Sequence, residues 1–155
     1  MNVRFIKTSE KRKIIAELEE IYGITNFPYL LLETGKRKIR GYSGHLSKDE
    51  LNQLGNLVNV ELLGMYLINT RDEEPRINFD ALSLLRKQIT KSILKIDKDQ
   101  LATWIRGHDL DVKDVPRGIV VMQYDGELVG IGKSNTEKIF NYVPKERKVK
   151  TQLKN

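Results

Sequence analysis

Apolar residues recur at helical spacing over residues 9–21. Ile14, Ile15, Leu18 and Ile21 share one face, and Lys and Glu fill the other. The pattern predicts an amphipathic helix that Thr8 or Ser9 can cap and that Gly23 ends. After a loop at Phe27-Pro28 the runs shorten. Residues 29–33 read as a strand, Thr34-Gly35 as a turn, and 36–42 as a basic returning strand. Ser47-x-x-Glu50 is a capping box opening a helix that carries Leu51, Leu54 and Leu57. Residues 60–68 read as one long strand, with Gly64 as a candidate bulge. The charged, Pro-terminated stretch 71–75 is a loop, 77–79 a short strand, and 81–85 one or two helical turns.

Beyond about residues 86–91 the pattern changes character. Residues 92–96 are a predicted strand. Asp97-x-x-Gln100 caps a short helix that runs through Trp104 and Ile105 and is ended by Gly107. Residues 109–116 are a turn-rich loop. Asp125-Gly126 then sits between two apolar, β-branched runs, 118–124 and 128–131, which is a strong hairpin signal. A last strand over 138–143 is stopped by Pro144. Trp104 is expected as a core plug, and Phe140 and Tyr142 alternate along the last strand, which can turn that face to the core. The expected fold class is α+β. Residues 1–88 form an N-terminal α/β domain with an antiparallel sheet, and residues 89–155 a small β-barrel, because an open sheet so small leaves its edges exposed.

At 155 residues the chain is long enough to bury a core as one domain or two small ones. Its 39% hydrophobic and 31% charged residues mark a soluble globular protein. The first residues lack a signal-peptide apolar region, no run reaches membrane-spanning length, and Cys is absent. Cytoplasmic location is the default expectation. The net charge of +6 favours an anionic partner, nucleic acid being the commonest. Between Lys133 and Asn155 stand seven cations, Lys154 among them, against two carboxylates; Lys36, Arg37, Lys38 and Arg40 form a second cluster.

Chemical motifs are sparse. Gly132-Lys133-Ser134 copies the end of a phosphate-binding P-loop, but Glu127 stands where the first Gly is needed and the strand before it is a hairpin arm. Asp109-x-Asp111-x-x-Asp114 lacks the Gly and the terminal Glu of a calcium loop and reads as a solvated acidic loop. His45 and His108 have no ligand-like spacing. No catalytic residue, metal site or cofactor is predicted. Cations beside a Gly-rich backbone, with Tyr and His nearby, suit RNA phosphates and exposed bases instead. The candidate RNA-binding residues are Arg106, Gly107, His108, Arg117, Lys133, Lys138, Tyr142, Lys145, Arg147, Lys148 and Lys150.

One ordered string resembles a known family. Trp104-Ile-Arg-Gly-His-Asp-Leu110, Gly118-Ile-Val-Val121, Tyr124-Asp-Gly-Glu-Leu-Val-Gly-Ile-Gly-Lys133 and Phe140-Asn-Tyr-Val-Pro-Lys145 with Arg147 are similar to the PUA-like RNA-binding domain of Sun/Fmu-type RNA cytosine methyltransferases. The resemblance implies a pseudo-barrel with the short helix and its Gly loop beside RNA, and contact roles for Arg106, Gly107, Lys133 and Arg147. The two-part layout resembles Nip-type ribosome-biogenesis proteins, in which a pre-PUA domain precedes a PUA domain. Leu31-Leu-Glu-Thr-Gly35 and Phe79-Asp-Ala-Leu-Ser-Leu-Leu85 fit that layout. Without Cys or a methyl-donor glycine loop, the chain resembles only the accessory RNA-binding part. The expected function is non-enzymatic binding of structured RNA, rRNA or tRNA, in ribosome biogenesis or RNA modification. The alternative is a scaffold that docks an RNA methyltransferase or assembly factor.

Overall fold

The first apolar face forms α1 (Thr8–Tyr22) in the computed structural model of the chain, which describes residues 3–150. The helix-opening residue is Lys7 rather than Thr8 or Ser9, because an acid does the capping: the Glu10 carboxylate accepts the Lys7 N–H at 3.0 Å. Arg4 donates to the same carboxylate, and the two bonds hold it below the usual carboxylate range, the Arg4 bond contributing most. Gly23 closes the helix in the left-handed region at φ 84°, with its N–H on the Glu19 carbonyl.

Five strands make the first sheet: β1 (Arg4–Phe5), β2 (Leu30–Thr34), β3 (Lys38–Tyr42), β4 (Met65–Asn69) and β5 (Arg76–Ile77), in that order and antiparallel throughout. The predicted Ser47–Glu50 capping box is present at the start of α2 (Lys48–Leu57). The long strand expected over residues 60–68 is cut to β4. The Leu63 and Gly64 carbonyls accept from the Arg40 guanidinium instead of entering a ladder. The register slip between β3 and β4 skips Leu67, so the irregularity lies there and not at Gly64. The strand expected over 77–79 stops at Ile77, since Phe79–Ala81 is a 3₁₀ turn leading into α3 (Leu82–Leu85).

The second sheet has the order β6 (Ile93–Lys95), β8 (Gly118–Tyr124), β9 (Glu127–Ser134), β10 (Lys138–Asn141) and β7 (Leu110–Asp111), with α4 (Lys98–Ile105) set against it. It curls into a half-barrel in which only β6 runs parallel to its neighbour. Asp125 and Gly126 both take positive φ, 47° and 81°, the tight primed turn expected between the two arms. The loop expected over 109–116 contains β7, whose two residues pair with Lys138 and Ile139. Two residues are too few to leave an alternating pattern.

One apolar cluster crosses from the first sheet to the second, and a second, around Trp104, fills the half-barrel. Leu18, Tyr22, Leu31, Ile39, Leu67 and Leu85 are buried together with Ile119, Val121 and Ile131 of the second sheet. Tyr22 ties this region with polar bonds as well. Its hydroxyl donates to the Pro75 carbonyl at 2.8 Å and accepts the Ile77 N–H, while its own carbonyl takes the Thr90 N–H at 2.9 Å. Burial pushes the phenol's pKa well above its ordinary range. No described helix is long and apolar enough to cross a membrane.

Tyr22→Phe removes one buried donor and one acceptor and should cost about 1–3 kcal/mol in chemical denaturation. Because the folded phenol holds its proton more tightly than the unfolded one, its contribution is complete below about pH 10 and declines as pH rises past that value toward the higher folded pKa. Tyr22→Phe should remove that part of the alkaline loss of stability. The shared cluster also predicts one cooperative thermal transition for the whole chain; two separated transitions would show that the halves melt independently.

Candidate nucleic-acid interface

The local structure here is built around Trp104. Asp97 accepts the Gln100 N–H at 2.8 Å and Gln100 returns the bond at 3.0 Å, which starts α4 in register to bury the indole completely. The indole N–H donates to the Val129 carbonyl at 2.9 Å. That carbonyl is available because β9 carries an extra residue against β8: Met122 faces Gly130, Gln123 faces Leu128, and Val129 is skipped. The glycines on either side of Ile131 make the room. A Cβ on Gly130 would sit 2.9 Å from Trp104 Nε1, and one on Gly132 would sit 2.8 Å from the far edge of the ring and 2.6 Å from the Phe140 carbonyl. The space beside Lys133 therefore belongs to Trp104 and the neighbouring strand.

At the other end of α4, Gly107 turns the chain at φ 88°. A Cβ there would lie 2.3 Å from the Lys148 stem, so the lysine runs directly over the glycine. The Val149 N–H bonds the Ile105 carbonyl at 2.8 Å and pins the tail to the helix end. Asn141 completes the junction. Its side-chain amide donates to the Trp104 and His108 carbonyls, and its backbone N–H bonds the Asp109 carboxylate at 2.8 Å. Arg106, Gly107, His108 and Lys148 are thus brought together, with Lys150 just beyond the pinned Val149. Arg106, His108 and Lys150 are exposed and Lys148 is half-buried. Arg106, Lys148 and Lys150 lie at the C-terminal end of α4, where the helix dipole favours positive charge, although the Trp104 and Ile105 carbonyls themselves are taken by Asn141 and Val149.

A second group follows β10. Directly paired residues in an antiparallel ladder share a face, so Ile119, Lys133 and Phe140 point the same way. Lys138 lies on that face too, and Tyr142 continues it through the bond from its N–H to the Ile131 carbonyl. The core face of β10 belongs to Ile139 and Val143, both buried, whereas Phe140 is 40% exposed. Core packing expected on the Phe140 side is therefore on the opposite side. The Tyr142 ring is partly covered by the Arg76 guanidinium, 4.1 Å from its centroid.

The remaining candidates separate. Lys145 and Arg147 sit on a 3₁₀ turn (Lys145–Arg147), where Arg147 pairs with Asp80 at 2.7 Å. Arg117 lies apart, lining a cavity of about 520 Å³ with Glu20, Glu74 and Asp114. Lys36 and Arg37 of the basic cluster occupy the β2–β3 turn, and Arg40 is committed to backbone carbonyls, so of that cluster Lys38 remains exposed on the strand. Lys154 lies outside the described residues. Sequence reasoning missed Asn141 and Arg76. Asn141 stands inside the Phe140-Asn-Tyr string, but apart from the local bond its side-chain oxygen accepts from the Val143 N–H, the three bonds that place it at this junction reach residues more than thirty positions away. Arg76 follows Pro75 on a two-residue strand and carries no local signal.

Residues 91–148 match the family described as "Methyltransferase RsmF PUA domain". The matched segment takes in β6 through β10 and α4, and agrees with the resemblance drawn from the Trp104-to-Arg147 string. Over 56 residues, 36% of this chain, the sequence is 34% identical to "Ribosomal RNA small subunit methyltransferase F" of Vibrio vulnificus strains YJ016 and CMCP6. The alignment covers 12% of each relative, so the chain corresponds to a small part of those proteins.

Gly130→Ala should destabilise the chain by about 1–3 kcal/mol, because the added methyl meets Trp104 and Val143 at a φ of 137° that L-residues avoid. Urea denaturation followed by Trp104 emission measures it; an unchanged midpoint would show that α4 can retreat without cost.

Proposed function

We propose that this chain is a non-enzymatic RNA-binding accessory protein for structured RNA, rRNA or tRNA, acting in the cytoplasm in ribosome biogenesis or RNA modification. The observation that carries this reading is the gathering of Arg106, Gly107, His108 and Lys148 at the end of α4, within the segment similar to a PUA domain. The relatives' name attaches that domain to an enzyme of ribosomal RNA, which favours rRNA over tRNA. The exposed cations meet phosphates, and Gly107 makes the room in which the Lys148 stem lies across the helix end beside them. In this reading residues 1–88 and 89–155 are two domains, and the first holds the second in position.

A second reading has a specific observation behind it. Leu54, Leu57, Val58, Leu62 and Met65 are all exposed, Leu57 at 82% and Leu62 at 72%, along α2 and the segment after it. Such a row suits docking to another protein, an RNA methyltransferase or an assembly factor, with the PUA-like half as a structural companion.

Titration of rRNA and tRNA fragments at two salt concentrations separates these. RNA binding should weaken steeply with salt, and Arg106→Glu or Lys148→Glu should weaken it further and lower the salt slope by about one per lost phosphate contact. Absence of binding in low salt would reject the RNA reading. Nuclease-resistant capture of a protein partner, lost in Leu57→Asp and Leu62→Asp, would support the docking reading. RNA recovered chemically altered by the purified chain would overturn the non-enzymatic assignment.

A further inference from the structure

A groove of about 240 Å³ is lined by Lys38, Tyr66 and Arg76 from the first sheet, by Ile131 from the second, and by Tyr142 and Glu146 from the segment after β10. Each cation rests against a ring. Lys38 Nζ is 5.3 Å from the Tyr66 centroid, and Arg76 is 4.1 Å from that of Tyr142. Phe79 and Asn78 also line it, and Asn78 is held by its bond to the Tyr66 carbonyl. The volume is below the range of pockets for drug-sized ligands, which is the scale of one planar base. The charges are mixed. Arg76 also meets Asp72 at 3.3 Å, and Glu146 is on the wall, so a bare polyanion gains little here. Aromatic walls that each carry a cation on one face suit an unpaired nucleotide, whose base stacks on a ring or on the planar Arg76 guanidinium laid over it while its phosphate meets Lys38.

We infer that this groove holds a single unpaired nucleotide of the bound RNA, stacked against Tyr142 or Tyr66. The inference rests on the RNA-binding reading above and adds a site from the first sheet to it. Tyr142 shares a face with Lys138, Phe140 and Lys133, so the RNA backbone has a cationic path from the groove along β10. Glu146 is acceptor-only, and a carboxylate pairs with an exocyclic amine. Adenine and cytosine are therefore preferred over uracil.

The test is fluorescence anisotropy of labelled hexamers of A, C and U, and of a structured rRNA fragment, with the full chain. Tyr142→Ala should weaken the A and C hexamers roughly tenfold, while Tyr142→Phe leaves them near wild type. Lys38→Ala should weaken all three, and Glu146→Gln should narrow the preference over U. Tyr142 and Lys38 are exposed, and unchanged Trp104 emission and melting temperature certify the fold. If Tyr142→Ala and Lys38→Ala bind hexamers like wild type while Arg106→Glu weakens the rRNA fragment, the groove is rejected and the RNA reading stands. If the wild-type chain binds no RNA in low salt, both fall.

Discussion

The indole of Trp104 sets the geometry of the second sheet. A ring that size can be buried completely against β9 only if the strand has no side chains where the ring passes, and Gly130 and Gly132 supply that. The extra residue at Val129 then turns a carbonyl to the indole N–H, so the ring is buried without an orphaned donor. Steric room and hydrogen-bond satisfaction are met by adjacent residues of one strand. The position of α4 follows, and with it the direction of Arg106, Gly107 and His108. Asn141 links the same helix end to β10, which fixes the cation cluster relative to that strand.

The relation between the halves has a different physical basis. Ile119, Val121 and Ile131 contribute to the cluster formed by α1 and the first sheet, and the polar bonds of Tyr22 hold Pro75 and Thr90 on either side of it. The Ile119 N–H is satisfied by Glu74 from the first half at 3.1 Å. Apolar burial supplies the attraction and these few bonds set the orientation. That orientation places Arg76 on Tyr142 and creates the groove they line. Exposed ion pairs such as Arg147–Asp80 add little, about 0–1 kcal/mol each, and act more as alignment than as glue.

Elements governed by neighbours in sequence were legible. The two side-chain capping boxes at Ser47 and Asp97, the Gly23 and Gly107 helix ends and the Asp125-Gly126 turn all follow from residues within a few positions of each other. Elements defined by distant partners were not. Residues 60–64 have the composition of a strand, yet the Leu63 and Gly64 carbonyls go to Arg40. The two-residue strand β7 exists only because β10 lies beside it. Phe140 and Ile139 are equally plausible core residues by pattern, and the register with Lys133 decides between them.

The candidate site divides along the same line. Residue type and order alone determined that the chain carries a basic C-terminal surface, a glycine turn after a short helix, and a string similar to a PUA domain. Local propensity and composition act over short separations, so they can be read without coordinates. Only the tertiary structure decided which cations meet: that Lys148 crosses Gly107, that Arg147 is taken by Asp80, that Arg117 stands apart among carboxylates, and that Arg76, Lys38 and Tyr66 face Tyr142. Those pairings depend on strand register and on a core shared between distant segments, and no local rule encodes either.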